Sequence, residues 1–134
     1  MARYLLDTNI LSSLIRSPAG QVARRLAVVG EAAVSTSIVV ACELRYGAAK
    51  RGSAELSARV EDLLQSLEVL PLDRQSERHY AEIRLHLERT GKPMGPNDLL
   101  IASHALALDL TLVTDNVEEF ARVPRLPLEN WLES

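Results

Sequence analysis

The pattern of apolar and polar positions along the chain predicts short strands that alternate with helices. The helical segments repeat apolar residues every three or four positions, and Leu56, Val60, Leu63, Leu64 and Leu67 form the clearest stripe. The strand candidates are shorter and mostly apolar, which is typical of strands that are covered on both faces. They are predicted at Tyr4–Leu6, Ala32–Ser35, Val69–Leu70 and Thr111–Val113, with Leu128–Trp131 as an edge strand.

Helices are predicted between these strands. Their approximate extents are Ile10–Ile15, Val22–Val29, Ile38–Lys50, Leu56–Leu67, Arg74–Thr90 and Leu99–Leu108, with a short turn at Val117–Phe120. Because strands alternate with helices throughout, we expect an α/β sandwich with a mostly parallel sheet. A length of 134 residues suits one compact domain, so we expect a single domain over residues 1–134.

Composition narrows the classes of function. Aromatic residues make up only 4% of the chain, too few for a platform that stacks bases. The net charge of −3 means that any contact with nucleic acid must be local or mediated by metal cations. The one cysteine, Cys42, excludes a disulfide framework and a cysteine-rich zinc site within the chain, and we expect it to pack in the core.

The same features predict where the protein acts. A single cysteine is typical of a reducing, cytoplasmic setting. Asp7 and Asn9 interrupt the apolar run after Arg3, so no secretory signal is expected. No apolar stretch is long enough to span a bilayer, and no membrane partner is expected.

Four acidic residues and one amide fall at points where parallel sheets form their sites. Asp7 follows the first predicted strand, Asp98 stands at the start of a buried helix, and Asp115-Asn116 follows a later strand. Glu43 lies on a mostly apolar helix, where a charge is costly without a partner. Each has an ordinary explanation as well: a helix cap for Asp7 and Asp98, a turn for Asp115-Asn116, and an exposed or paired position for Glu43.

Taken together, these acids predict a metal site. Carboxylates that converge at one edge of a sheet repel one another, and a divalent cation relieves that repulsion. Oxygen ligands of this kind favour Mg²⁺ or Mn²⁺ over zinc. Such a metal activates water and stabilises charge on a phosphoryl group, so the pattern points to phosphodiester hydrolysis.

The order of the motifs resembles one known family. The chain resembles PIN-domain ribonucleases of the VapC branch, the toxins of bacterial type II toxin–antitoxin (VapBC) systems. The motifs that carry the resemblance are Leu6–Leu11, Glu43–Ala48, Gly95–Ala102 and Leu112–Asn116, followed by Glu119-Phe120 and Glu129–Trp131. They span essentially the whole chain in the expected order.

The resemblance implies a PIN-like α/β/α sandwich in three layers, with a sheet of four or five strands. It implies that Asp7 and Asp98 hold Mg²⁺ or Mn²⁺ directly, and that Glu43 binds the metal directly or through water. The fourth position stays open. Either the loop presents Asp115 to the metal, or Asn116 acts as a neutral partner, and the number of metals depends on which.

The resemblance also implies an endoribonuclease that acts on structured RNA, including the anticodon loops of transfer RNA. Thr8, Asn9 and Thr114 are the candidates for hydrogen bonds to the phosphate. Arg45 and the pair Lys50-Arg51 are the candidates for backbone contacts, although solvated surface charge is the better explanation for any one of them.

Two kinds of protein partner follow from the same resemblance. One is a second copy of the chain in a homodimer, or in a higher toxin–antitoxin assembly. The other is a cognate VapB-like antitoxin that would cover the acidic site. The helices around Ile10–Ile15 and Leu56–Leu67 are the candidate surfaces for it, while most of their apolar residues are equally explained as core.

Two other functions remain open from the residues alone. The first is a catalytically inactive PIN-fold binding module, which the shifted acid at Asp115 keeps in consideration. The second is an Asp-based phosphatase or phosphoacceptor domain, since these also place an Asp after the first strand. A phosphatase of that type normally has a second Asp two residues later, where this chain has Asn9.

Overall fold

A five-stranded parallel sheet forms the centre of the molecule. The computed structural model describes residues 2–132. The strands are β1 (Tyr4–Leu6), β2 (Val34–Ser37), β3 (Glu68–Leu70), β4 (Thr111–Val113) and β5 (Leu128–Glu129). Their order across the sheet is β3-β2-β1-β4-β5, and every neighbouring pair is parallel. The expected α/β architecture with a parallel sheet is confirmed, and β5 lies at the edge as predicted.

Helices make the connections between these strands. They are α1 (Thr8–Arg16), α2 (Gln21–Val29), α3 (Ile38–Arg51), α4 (Ala54–Ser66), α5 (Gln75–Arg89), α6 (Pro96–Ala107) and α7 (Val117–Phe120). Side chains at their beginnings explain the boundaries: Asp7, Ser37 and Ser53 accept hydrogen bonds from backbone N–H groups in the first turns of α1, α3 and α4. Gly52 ends α3 with a φ of 65°, a left-handed conformation that glycine adopts without strain.

The second strand differs from the sequence prediction. Residues 31–33 form a single 3₁₀ turn, and the strand that was expected over Ala32–Ser35 runs instead from Val34 to Ser37. All four of its residues are buried, although three are serine or threonine. The hydroxyls of Ser35 and Thr36 donate to the carbonyl oxygens of Tyr4 and Leu6 at 2.8 and 2.7 Å. These bonds offset the cost of burying polar side chains, which a hydrophobic pattern does not register.

Helix α6 is largely buried in the core. Leu99, Ile101, Ala102 and Ala105 are all at most 5% exposed. His104 lies beside them at 1% exposure, and its Nδ1 is 2.8 Å from the hydroxyl of Ser37. Packing thus fixes α6 against the beginning of α3, the two helices on which Asp98 and Glu43 were predicted to lie.

Two further observations concern the surface. Cys42 was expected in the core and is exposed on α3, because the buried face of that helix is formed by Val39, Val40, Leu44 and Ala48. Within residues 2–132, no helix combines the length and the hydropathy needed to cross a membrane.

Candidate active site

Asp7 lies at the junction of β1 and α1. One carboxylate oxygen accepts from the backbone N–H of Thr8 at 2.8 Å, and the other accepts from the hydroxyl of Thr114 at 2.8 Å. The residue is only 5% exposed. Burial raises the pKa of Asp7 despite these two bonds, and the charges of Glu43 and Asp115 raise it further. Asp7 therefore faces other carboxylates across the same site.

Glu43 reaches this site from α3. Its Oε1 accepts from the hydroxyl of Thr8 at 2.5 Å, and its Oε2 accepts from the side-chain amide of Asn97 at 3.4 Å. Glu43 is half-buried, and its partners come from the beginnings of α1 and α6. The charge that looked costly on an apolar helix is therefore held by hydrogen bonds from two other helices.

Asp98, the third acidic residue of the site, lies in the first turn of α6. Desolvation, a hydrogen bond with Glu119 and the charges of Glu119, Asp7 and Glu43 together raise the pKa of Asp98 to about 7. Burial is the largest of these causes. An aspartate next to so much negative charge favours its protonated form unless a cation compensates for the neighbours.

The loop after β4 contributes the fourth acidic residue of the site, Asp115, and its neighbour Asn116. The carboxylate of Asp115 is exposed and accepts from the side-chain amide of Asn9. Asn116 uses its backbone N–H to bind Thr114 at 3.0 Å and its side-chain amide to bind Glu119 at 2.6 Å. Both residues line the pocket, but Asp115 contributes the carboxylate while the amide of Asn116 is engaged with Glu119.

Glu119 is a member of this site that sequence reasoning did not assign. It lies in the first turn of α7, half-buried, between Asn116 and Asp98. Its spacing of three residues from Asn116, at the start of a predicted helical turn, was the signal that could have placed it there.

The acidic side chains meet in a single open cavity of about 410 Å³, called here the acidic pocket. It is lined by Asp7, Thr8, Asn9, Ser12, Arg16, Glu43, Asp98, Asp115 and Asn116. Among residues 2–132, no three His, Cys, Asp or Glu side chains are drawn together tightly enough to enclose a metal ion as they stand. The carboxylates therefore face one another across the pocket while they hydrogen-bond to Thr8, Asn9 and Thr114.

The donor set nevertheless fits a hard divalent cation. All four carboxylates offer oxygen ligands, and the described residues bring no histidine or cysteine to the lining that would favour zinc. Burial, and then the charges of neighbouring carboxylates, raise the pKa values of Asp7 and Asp98, and a bound cation would offset both effects.

Only some of the residues predicted to contact the substrate line the acidic pocket. Thr8 and Asn9 line the acidic pocket, whereas the hydroxyl of Thr114 is fully buried and is used on Asp7. The structure does not bring Arg45 to the pocket, because it forms an ion pair with Glu61 on α4. Residues two apart on a helix point in different directions, so the closeness of Arg45 to Glu43 in sequence is lost in space.

A second cavity of about 250 Å³, called here the apolar groove, adjoins the acidic pocket. The two share Thr8, Ser12, Arg16 and Glu43. The rest of the groove is lined by Ile15, Leu44, Gly47, Ala48, Arg51, Leu56 and Val60. Of the predicted Lys50-Arg51 pair, Arg51 reaches this groove, and the amine of Lys50 lies 6.0 Å from the ring of Tyr46.

Comparison with known proteins decides the family. Residues 4–126 match the model of the PIN domain. The chain is 38% identical to ribonuclease VapC2 of Rickettsia felis, over 96% of this chain and 97% of that protein. The chain belongs to the PIN-domain family, in its VapC branch. Another VapC relative is the tRNA(fMet)-specific endonuclease of Salmonella typhimurium, 36% identical over 98% of this chain and 99% of the relative.

Solved VapC structures share the fold as well as the sequence. The VapBC2 complex from Rickettsia felis, bound to a DNA fragment from its promoter, contains a chain that matches with a TM-score of 0.88 at 37% identity, covering 96% of this chain and 98% of that one. The DNA-bound VapBC complex from Salmonella typhimurium matches with a TM-score of 0.90 at 36% identity, covering 98% and 99%. The family resemblance recognised in the sequence motifs is thereby confirmed.

Proposed function

We propose that this VapC-family chain is the toxin of a type II toxin–antitoxin system and acts as a metal-dependent endoribonuclease. The observation that carries the proposal is the meeting of Asp7, Glu43, Asp98 and Asp115 in one pocket beyond the carboxyl ends of the central strands. Relatives named as ribonucleases over nearly the whole chain support the activity. A relative named as specific for tRNA(fMet) makes transfer RNA the first substrate to try.

The cofactor in this proposal is Mg²⁺ or Mn²⁺. Asp7 and Asp98 would hold the cation directly, Glu43 directly or through water, and Asp115 from the outer side of the pocket. When bound, the cation supplies an activated water and stabilises the charge that develops on the phosphoryl oxygens. The chemistry of an all-oxygen donor set and the mutual repulsion of its members support this assignment.

The chain's own residues then orient the reaction. Thr8 donates a hydrogen bond to the carboxylate of Glu43, and Thr114 donates one to the carboxylate of Asp7. These bonds orient both carboxylates before substrate arrives. Glu43, bonded through one oxygen to Thr8, is placed to accept a proton from the attacking water with the other. Asn9 also lines the pocket, where its side-chain amide donates to Asp115, and we assign to this amide a hydrogen bond with the RNA phosphate once substrate is bound.

The partner in this proposal is a VapB-like antitoxin. Related chains from Rickettsia felis and Haemophilus influenzae were solved as VapBC complexes, and the apolar groove next to the acidic pocket offers a surface for an apolar segment. Of the two helices predicted to meet the antitoxin, Ile15 on α1 and Leu56 and Val60 on α4 line the groove. Ile10, Leu11 and Leu64 are buried in the core instead.

Homodimerisation belongs to the same proposal, as does a higher assembly with the antitoxin. Support comes from the large apolar residues Ile38 and Tyr46 on α3, which are 42% and 66% exposed. Sedimentation of the purified toxin, alone and mixed with its antitoxin, measures both states directly.

The experiment that tests the function is cleavage of total cellular RNA by the purified protein in Mg²⁺ or Mn²⁺, and again in EDTA. An Asp98→Asn variant purified in the same way controls for contaminating nuclease. The proposal expects discrete fragments that need the metal and are absent with the variant, and sequencing their ends identifies the target. A folded parent that leaves all RNA intact would instead indicate the inactive binding module.

A further inference from the structure

Arg16 is the one cationic side chain that lines the acidic pocket within residues 2–132. It lies in the last turn of α1, eight residues after Thr8 and four after Ser12, which places all three on one face of that helix. It also lines the apolar groove. Arg16 therefore stands at the junction of the two cavities, with its side chain exposed to solvent.

The guanidinium of Arg16 has no partner among the described residues. It forms no ion pair within 4 Å, although carboxylates line the same pocket, and it makes no hydrogen bond. Other arginines of the surface, such as Arg25, Arg45 and Arg84, are paired with glutamates. Arg16 is thus free to bind a group that comes from outside the chain.

The chemistry of the substrate supplies such a group. A phosphate of RNA carries a full negative charge, and the fork of N–H donors on an arginine binds it through two parallel hydrogen bonds. The chain as a whole has a net charge of −3, so attraction of a polyanion to an acidic pocket requires a local cation. Arg16 offers this charge at the rim of the pocket.

We propose that Arg16 binds a phosphate of the RNA strand next to the scissile one and thereby guides the strand across the acidic pocket. This inference rests on the proposed ribonuclease function and names a substrate contact for that same site. It assigns to Arg16 the contact with the RNA backbone for which Arg45 was a candidate in the sequence. The residue acts in binding, so its loss weakens substrate affinity and leaves the chemical step in place.

The test compares Arg16→Gln with a matched control, Arg89→Gln. Arg89 also lies exposed in the last turn of a helix, α5, and makes no ion pair in the described chain, but it lines neither cavity. Both substitutions remove one charge from a helix end, so a general effect of charge on helix stability or on RNA attraction appears in both. Cleavage of a short single-stranded RNA is measured against RNA concentration at several salt concentrations in Mn²⁺.

For Arg16→Gln we expect KM to rise roughly 10- to 100-fold, as for loss of a hydrogen bond to a charged group, with kcat nearly unchanged. The slope of log affinity against log salt should become shallower by about 0.7, the value for one phosphate of a single strand. Arg16→Lys should restore the salt slope and only part of the affinity, and Arg89→Gln should behave as the parent.

Three results would overturn the inference while leaving the ribonuclease in place. These are an unchanged KM in Arg16→Gln with antitoxin binding also unchanged, an equal rise in KM in both variants, and an unchanged KM with weakened binding of the antitoxin, which would assign Arg16 to the protein partner. If the parent cuts no RNA, the proposed function fails first. Fluorescence anisotropy with the same RNA then decides the inference separately, since a parent that binds no RNA, or binds it as well as Arg16→Gln does, contradicts it.

Discussion

The acidic pocket and the apolar groove share one wall but have opposite chemistry. Thr8, Ser12, Arg16 and Glu43 border both cavities. Beyond that wall the pocket continues into carboxylates held by hydrogen bonds, and the groove continues into aliphatic side chains and the bare backbone of Gly47. The difference shows how one small domain separates the surface suited to a metal and a phosphate from the surface suited to a protein segment.

The two regions are also built differently. Side chains of the pocket come from the residues that follow β1 and β4, from α1, from the second turn of α3 and from the beginning of α6, so the strands of the sheet help to fix their relative positions. The groove depends on the packing of α1, α3 and α4 against one another. Substitutions of the pocket carboxylates should therefore act mainly on the chemistry, and substitutions in the part of the groove beyond the shared wall should act mainly on antitoxin binding.

The largest expected effect follows from removing one pocket carboxylate. Asp7→Asn keeps the shape and removes the charge, and its amide oxygen can still accept from the backbone N–H of Thr8, while its amide nitrogen replaces the oxygen that accepts from Thr114. Because metal ions supply several kcal/mol of transition-state stabilisation, we expect kcat to fall on the order of 10³-fold or more. Stability should be unchanged or higher, since the repulsion from Glu43 and Asp115 is relieved. Single-turnover cleavage and thermal melting measure the two quantities.

The next largest effect concerns a residue that holds one of the pocket carboxylates in place. Thr114→Val is nearly isosteric and removes the buried hydroxyl that donates to Asp7 and accepts from the backbone N–H of Asn116. Substitutions of groups that orient metal ligands typically cost about 10- to 100-fold in metal affinity or activity, and we expect a loss in this range. Titration with Mn²⁺ should show weaker binding than in the parent. Equal affinity in both proteins would mean that the hydroxyl serves folding alone.

The third effect belongs to the groove. A Cβ added at Gly47 meets no atom within 4 Å outside its own helix, and Gly47 lines the groove, so the longer side chain of Gly47→Leu should extend into the groove, and thermal melting checks that the fold is retained. We expect cleavage by the toxin alone to be unchanged and inhibition by the antitoxin to weaken at least about tenfold, equivalent to about 1.4 kcal/mol. Gly47→Ala is the control, because it adds little volume and favours the helix. Full inhibition of the leucine variant would place the antitoxin elsewhere.

A smaller effect should appear in the pH dependence of stability. The pKa of Asp98 rises from 3.8 to about 7 on folding, so its stabilising contribution is complete below the lower value and is lost as pH rises through the higher one. In EDTA, the melting temperature of the parent should therefore fall by a few degrees between about pH 4 and pH 8, relative to Asp98→Asn. Mg²⁺ should raise it more at pH 8 than at pH 5. A parallel pH profile for both proteins would contradict the electrostatic description of the pocket.

The sequence predicted the elements that carry the pocket because local signals coincided there. Asp7 follows an uninterrupted apolar strand, and Asp98 opens an almost wholly apolar helix, so both positions could be read from the pattern. The sequence pattern placed β2 too early in the chain. The strand includes Ser35 and Thr36, whose buried hydroxyl groups donate to carbonyl oxygens of a neighbouring strand. That pairing depends on tertiary contacts, which a one-dimensional pattern does not contain.

The site residues that the sequence analysis did not assign also depend on tertiary contacts. Arg16 lines the pocket from the last turn of α1, and Glu119 contacts Asp98 from α7, a helix that follows the strand after α6. Arg45 illustrates the converse, since it lies two residues from Glu43 and forms its ion pair on another face of the helix. Residue type and spacing indicated which chemistry to expect, while the direction of each side chain required the fold.

The most direct measurement of the central claim is the rate at which a defined transfer RNA is cut by the parent and by two asparagine variants in Mn²⁺. Asp98→Asn alters the acidic pocket. Asp109→Asn makes the same chemical change at an exposed turn before β4, where the φ of 58° suits asparagine. We expect the parent and Asp109→Asn to cut at equal rates and Asp98→Asn to be inactive. Equal cleavage by all three proteins would show that the acidic pocket is not the site of the reaction.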